Sequence, residues 1–317
     1  MGVRVFVDGH AGTTGLRIRE WLSGRDDLEL ITLEGAERKD PAARRRAVET
    51  ADLAVLCLPD EAAREAAAWA ERAGTRVIDA STAHRTDERF VYGLPELAPG
   101  QRDAIRKAPR VSNPGCYPTG FLLLVRPLVD AGLLAPDAPL AIHALSGYSG
   151  GGRPLIGRWE DPALGLAALP FEAPYALERV HKHVPEMMRH ARLAAEPLFA
   201  PAVGAFRCGM RVQVPLPAGL LPGGGAARVP EVLRARYAGE PFVRVLAGPP
   251  GGEVPERALD PRACNDTNRI DLHAIVHPSG HVLLVAILDN LGKGAGGAAV
   301  QNLNLMLGLP ETTGLPA

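Results

Sequence analysis

The chain has 317 residues, 46% of them hydrophobic and 22% charged, enough for two domains of ordinary size, each with a buried core. Lys+Arg 35 against Asp+Glu 36 leaves a formal net charge of −1, which provides neither the basic excess of a nucleic-acid binder nor an acidic tail. No apolar run approaches the roughly 18 residues of a membrane span, and no basic stretch leads into an apolar one as in a secretory signal; a soluble cytoplasmic protein is expected.

In chain order, Val3 to Val7 reads as a short apolar strand, followed by a Gly-rich turn and a helix from about Thr13 to Leu22. Leu28 to Leu33 is a second strand, and Asp40-Pro41 caps and opens a short helix running through Glu49. Ala54 to Leu58 is a third strand. Asp60 then caps an Ala-rich helix whose stop signal is Gly74, and Val77-Ile78 begins a fourth strand. Repeated β-α-β units with near-continuous apolar strands predict an α/β fold, a doubly wound parallel sheet of the dinucleotide-binding type. After about residue 137 the pattern changes. Pro139 to Leu145, Phe206 to Leu216, Ile270 to Val276 and Val282 to Leu288 read as longer strands, the last two joined by a hairpin turn at 277–280. This part predicts an α+β catalytic domain with a mixed sheet. Residues 215–225 read as an exposed loop, and 293–307 as a helix. The expected division is a dinucleotide-binding domain over 1–115, joined by the C-terminal helix 290–317, and the α+β domain over 116–289.

The first turn carries Gly9, Gly12 and Gly15 in G-x-x-G-x-x-G spacing, with Thr13 and Thr14 opening the helix. Glycines there let the backbone approach a pyrophosphate at the helix N-terminus. Glu34, at the end of the second strand, would hold a ribose hydroxyl and favour NAD. Arg38-Lys39 would hold a 2′-phosphate and favour NADP. Lysine is scarce in this chain (positions 39, 107, 182 and 293 only), and one of the four lies in this pair, which tips the reading toward NADP. Leu58, Pro59 and Ser81 follow strands three and four, where a dinucleotide lies in this architecture. Asn290 and Gly292, at the start of the last helix, form a second candidate contact for an anionic cofactor.

The four cysteines, at 57, 116, 208 and 264, are too far apart for a zinc set or a disulfide framework, so no bound metal is expected. Cys57 and Cys208 read as core residues and Cys264 as a loop cysteine. Cys116 differs. It lies in SNPGCYPTG just ahead of a helical run, where unpaired N–H groups and the helix dipole favour a thiolate. A nucleophilic thiol needs an acid/base partner, and His181-Lys182-His183 supplies two imidazoles beside a scarce lysine. Extended, the two rings would share one side; helical, they would diverge. Ser146-Gly147 opens a Gly-rich stretch through Arg153 suited to a phosphate or oxyanion.

DGHAGTTGL (8–16), VYGLPEL (91–97), SNPGCYPTG (112–120), HKHVPE (181–186) and NLGKGAGGAAVQNLN (290–304) together resemble the N-acetyl-γ-glutamyl-phosphate reductases in their shorter form. The resemblance runs from end to end. It implies NADPH-dependent reduction of an acyl phosphate to an aldehyde in arginine biosynthesis, with the nucleophile on Cys116 and the family's histidine on His183. It also implies a homo-oligomer, dimer or tetramer, acting on a small molecule, with 116–289 as the catalytic and oligomerisation domain. In that chemistry the thiolate displaces phosphate to give a thioester, hydride reduces it, and His183 protonates the resulting thiohemiacetal. Arg85, Asn113, Ser146, Gly147, His181 and Lys182 are then expected around phosphate and substrate carboxylate. The nearest rivals are an aspartate-semialdehyde dehydrogenase and a reductase of a carrier-linked substrate in lysine biosynthesis. A Cys/His hydrolase and a non-catalytic dinucleotide sensor are the readings from other classes.

Overall fold

The computed structural model describes residues 2–165, 168–246, 248 and 252–317. The chain divides into two compact units, one of residues 1–115 with 295–316, the other of residues 116–294 with 317.

The first unit is built on six parallel strands: β1 (Val3–Asp8), β2 (Leu28–Ile31), β3 (Leu53–Leu56), β4 (Arg76–Asp79), β5 (Val91–Tyr92) and β6 (Arg110–Ser112). Their order is β2-β1-β3-β4-β6-β5. The chain steps from β1 to β2 on one side and returns with β3 on the other. The carboxyl ends of β1 and β3 therefore flank the topological switch point, where ligands bind in open α/β sheets. Helices α1 (Thr13–Leu22), α2 (Pro41–Thr50), α3 (Asp60–Ala73) and α4 (Gln101–Lys107) connect the strands. Asp40 caps α2, its carboxylate accepting the amides of Ala42 and Ala43 at 3.1 and 3.2 Å, with Pro41 in the first turn. Gly74 ends α3 in the left-handed conformation, φ 77°, where a side chain would be strained. Asp60, expected as a cap, is instead the first residue of α3. Its carboxylate holds the Thr82 amide and hydroxyl across the β4 loop, and so it ties two loops at the carboxyl edge of the sheet.

The second unit is built on a seven-stranded mixed sheet: β7 (Ala141–Gly147), β8 (Glu172–Pro174), β9 (Leu198–Gly204), β10 (Met210–Leu216), β11 (Val243–Leu246), β12 (Ile270–Val276) and β13 (Val282–Leu288). The order is β11-β12-β13-β10-β7-β9-β8, with β11/β12 and β7/β9 parallel and the remaining pairs antiparallel. The strand expected from Phe206 begins at Met210, because Gly209 takes φ 114° with no space for a side chain against Pro261. The helices of this unit are α5 (Cys116–Asp130), α6 (Gly152–Trp159), α7 (Val184–Ala191) and α8 (Gly225–Arg236). α5 lies close on the sheet at Gly120, where a Cβ would come within 2.9 Å of Val212 and 3.3 Å of Ala286. Cys264 lies in a turn, as expected of a loop cysteine, but is fully buried there, packed with Val285 and Ile287. Cys57 and Cys208, expected in the core, each keep part of their surface open.

The helix expected over 293–307 is two elements. A π-helical turn spans Gly292–Gly296, its first three residues in the second unit and its last two in the first, and α9 (Gly297–Met306) follows in the first unit. α9 is buried throughout, and amide side chains seat it. Gln301 donates to Glu96 at 2.9 Å, Asn302 to the Gly93 carbonyl at 2.8 Å, and Asn304 accepts from Arg25 at 2.6 Å.

Candidate active site

In the first unit the Gly-rich turn closes directly onto the end of β3. Gly9 takes φ +82°, and a Cβ there would come within 2.2 Å of the Cys57 carbonyl. A Cβ on Gly15 would meet the Gly9 carbonyl at 2.5 Å, so the first turn of α1 needs that glycine too. Gly12, Thr13 and Thr14 form the N-terminus of α1: the Gly12 amide donates to the Gly9 carbonyl at 2.9 Å, and among the described residues no side chain caps the helix, an arrangement suited to an anion. Leu58 and Pro59 follow β3 across the switch point. Ser81 is committed to the loop itself, its hydroxyl and amide both donating to Asp79, at 2.7 and 2.9 Å. The same carboxylate meets His84 Nδ1 at 2.6 Å, and His84 stacks on Phe90 with centroids 4.1 Å apart. Asp8, at the end of β1, is buried and held by Arg44 of α2 at 2.9–3.1 Å. Burial, then the charges of Asp79 and Asp8, push the Cys57 thiol up to about 12, which disfavours its thiolate.

Arg38 and Lys39 lie exposed in a 3-10 turn just after β2. His10, in the Gly-rich turn, has its pKa lowered by burial and by the positive charges of Arg19 and Arg38. Arg38 is thus within electrostatic reach of the turn, and Arg19 joins it. Sequence spacing singled out Arg38; Arg19 had no signal beyond one more arginine on a helix.

In the second unit Cys116 is the first residue of α5, at its N-terminus rather than ahead of it, and partly open to solvent. His181 and His183 lie in a non-helical turn before α7, both buried, with ring centroids 4.8 Å apart. The rings therefore converge rather than diverge. The His183 amide donates to His181 Nδ1 at 3.2 Å, which fixes His181 as the tautomer carrying its proton on Nε2. Burial, then the charges of Lys182 and Arg179, pull the His181 pKa down to about 4, so it stays neutral at physiological pH. Tyr117, next to the cysteine in sequence, packs 5.8 Å from the His183 ring and 6.1 Å from His181. The Tyr175 hydroxyl donates to that of Tyr117 at 3.3 Å. Burial raises both phenols, Tyr175 to about 12, and a thiolate at Cys116 adds to the rise in each. Sequence reasoning missed both tyrosines. The position next to Cys116 was an available hint for Tyr117; nothing marked Tyr175.

Other expected residues have more structural surroundings. Ser146 hydrogen-bonds Tyr117 through its hydroxyl, and Gly147 packs against the Arg207 carbonyl, which a Cβ would approach to 2.4 Å. Asn290 is buried in the second unit, accepting the Gly209 amide at 2.8 Å and donating to Ser149 at 3.0 Å, so it braces the Gly-rich stretch. Gly292 packs on the Thr267 carbonyl. Lys182 is exposed between its two buried neighbours. Arg85 and Asn113 belong to the first unit: the guanidinium donates to the carbonyls of Asn113 and Ala80 at 3.0 Å each, and the Asn113 amide donates to the Ala295 carbonyl at 2.9 Å. Among the described residues no group of three or more His, Cys, Asp or Glu is gathered as a metal ion would require.

Residues 26–108 match the semialdehyde dehydrogenase NAD binding domain and residues 116–290 the semialdehyde dehydrogenase dimerisation domain. The N-acetyl-gamma-glutamyl-phosphate reductase 2 of Pseudomonas putida is 52% identical, covering 98% of both chains. The N-acetyl-gamma-glutamyl-phosphate reductase of Burkholderia cenocepacia is 51% identical over 96% of this chain and 97% of that one. Among solved structures, aspartate semialdehyde dehydrogenase II of Vibrio cholerae superposes with a TM-score of 0.71 at 17% identity, covering 97% of this chain and 98% of that one. At that identity the likeness concerns the fold. No helix among the described residues is long and apolar enough to cross a membrane.

Proposed function

The chain belongs to the semialdehyde dehydrogenase family, in its N-acetyl-γ-glutamyl-phosphate reductase branch, and from this we propose that it reduces N-acetyl-γ-glutamyl phosphate to N-acetylglutamate semialdehyde with NADPH, in arginine biosynthesis. The observation that carries the reading is the Cys116 thiol at the first position of a 15-residue helix, in the unit where two buried imidazoles converge. The α5 N-terminus favours the thiolate. Cys116 Sγ attacks the γ-carbonyl carbon, the C–O bond to phosphate breaks, and inorganic phosphate leaves, giving a thioester. When bound, NADPH supplies the hydride that reduces this thioester. His183 gives its proton to the carbonyl oxygen, and takes one back as the thiohemiacetal expels the Cys116 thiolate and the aldehyde forms. His181, held neutral, orients rather than transfers.

The dinucleotide fits the first unit's turn: the Gly9 and Gly15 backbones leave no space for side chains, and the α1 amides are free of a side-chain cap. Arg38, supported by Arg19 and Lys39, would hold the 2′-phosphate, which is the ground for NADPH over NADH. Ser146, Gly147, Arg85 and Asn113 are assigned to phosphate and substrate carboxylate, and a cytoplasmic homo-oligomer built through the second unit is the expected assembly.

The test runs the reaction backwards with N-acetylglutamate semialdehyde, inorganic phosphate and NADP⁺, following NADPH. Phosphate-dependent turnover that vanishes in Cys116→Ser is the expected result. Turnover of aspartate semialdehyde instead would reassign the substrate, and activity surviving the serine variant would move the nucleophile.

A further inference from the structure

Gly294 and the π-helical turn that carries it have no role in the chemistry above, yet they lie against its nucleophile. Gly294 and Cys116 both belong to the second unit, of which Cys116 is the first residue. A Cβ built on Gly294 would come within 2.9 Å of Cys116 Cβ and 3.3 Å of its Cα, with the Asp289 carbonyl at 3.1 Å on another side. Real Cβ atoms essentially never show the first distance, the other two are tighter than most Cβ contacts, and the atoms in the way are backbone and the root of the reacting side chain, not a flexible tip. The glycine has no room to yield: its amide donates to the Asp289 carbonyl at 3.0 Å, and Asp289 is itself buried, accepting the amides of Leu291 and Asp266 at 2.8 and 2.9 Å. Two residues earlier Gly292 is pinned on the Thr267 carbonyl in the same way. A π turn is a rare, wide backbone form, found mostly where function needs it. Here it lays bare backbone on the root of the nucleophile.

We propose that Gly294 is a positioning residue for the reductase reaction: the π turn sets the place and rotamer of Cys116 at the α5 N-terminus. The proposal rests on Cys116 being the nucleophile, and its readouts separate the two. Because a helix terminus acts over a short range, a thiol pushed off its seat loses part of the stabilisation of its charged form.

The first measurement is the pH dependence of Cys116 alkylation by iodoacetamide, read by mass spectrometry on wild type and Gly294→Ala without substrate. Gly120→Ala, which crowds the same helix against Val212 at 2.9 Å, is the packing control. The expected result is an alkylation midpoint displaced upward by about one pH unit in Gly294→Ala alone. The turnover number should fall on the order of a hundredfold with NADPH affinity unchanged, as misplacement by an ångström costs. An unmoved midpoint, or equal shifts in both variants, overturns it. If Gly294→Ala does not fold, Cys116→Gly/Gly294→Ala decides. Recovery of the fold in the double variant supports the contact, and failure in both overturns it. A wild-type Cys116 that does not alkylate preferentially would instead refute the nucleophile assignment.

Discussion

Replacing Arg44 with alanine strands the carboxylate of Asp8 inside the first unit. Asp8 is 3% exposed, and its carboxylate receives Arg44 Nε at 3.1 Å to each oxygen and Nη2 at 2.9 Å. Removing one partner of a buried pair leaves an uncompensated charge and costs about 3–5 kcal/mol, whereas replacing both with apolar groups of similar shape is often nearly neutral. Arg44 also lies over the Trp69 ring, 5.5 Å from its centroid, which adds about 0.5–1 kcal/mol. At about 2–4 °C per kcal/mol for a chain of this class, Arg44→Ala should lower the melting temperature by roughly 10 °C. Asp8→Val/Arg44→Leu should lower it by less than half of that. Thermal unfolding followed by tryptophan fluorescence measures both, since Trp69 lies under the lost guanidinium. A single variant that loses no more than the double would refute the reasoning.

Gly9→Ala, forced to φ +82° with its Cβ 2.2 Å from the Cys57 carbonyl, should weaken NADPH binding more than tenfold and lower stability by about 2–4 kcal/mol; fluorescence titration and urea unfolding report the two effects. Arg38→Ser should raise KM for NADPH about tenfold while leaving NADH alone, and an unchanged ratio of the two kcat/KM values would count against a 2′-phosphate contact. His181, with its pKa drawn down to about 4 from 6.5, takes up fewer protons folded than unfolded between those values. Its contribution to stability is therefore complete above pH 6.5 and is lost as pH falls toward 4. His181→Gln should flatten that acid limb in urea titrations from pH 7 to 4.

Much of the first unit was legible because its strands are buried on both faces and its punctuation is local. Thr13–Leu22 and the stop at Gly74 follow from turn and cap chemistry alone. The hairpin strands β12 and β13 were equally plain, bounded by a Pro-Ser-Gly turn. What local pattern could not supply was partnership across the sequence. Asp60 looks like a cap until Thr82 takes its carboxylate. Asn290 looks like an anion contact until Gly209 and Ser149 claim its amide. Cys264 has no apolar run around it, yet the sheet face it packs on is 21 residues and more away, at Val285 and Ile287. The cysteine and the histidine pair were marked by composition and spacing. Tyr175 and the π turn around Gly294 reach the thiol only through tertiary packing.

The first unit is discontinuous, and this dictates an order of assembly. Its opening 115 residues leave the ribosome without α9, so Glu96, the Gly93 carbonyl and Arg25 must wait for partners encoded at the other end of the chain. The Arg25–Asn304 bond alone closes a separation of 279 residues. The second unit, by contrast, is one stretch but for the single residue Ala317, and has all its elements as soon as residue 294 emerges. Domains fold as units during synthesis, and so the dinucleotide fold, begun first, is completed last. Its sheet stays uncovered by α9 through the whole translation of the second unit.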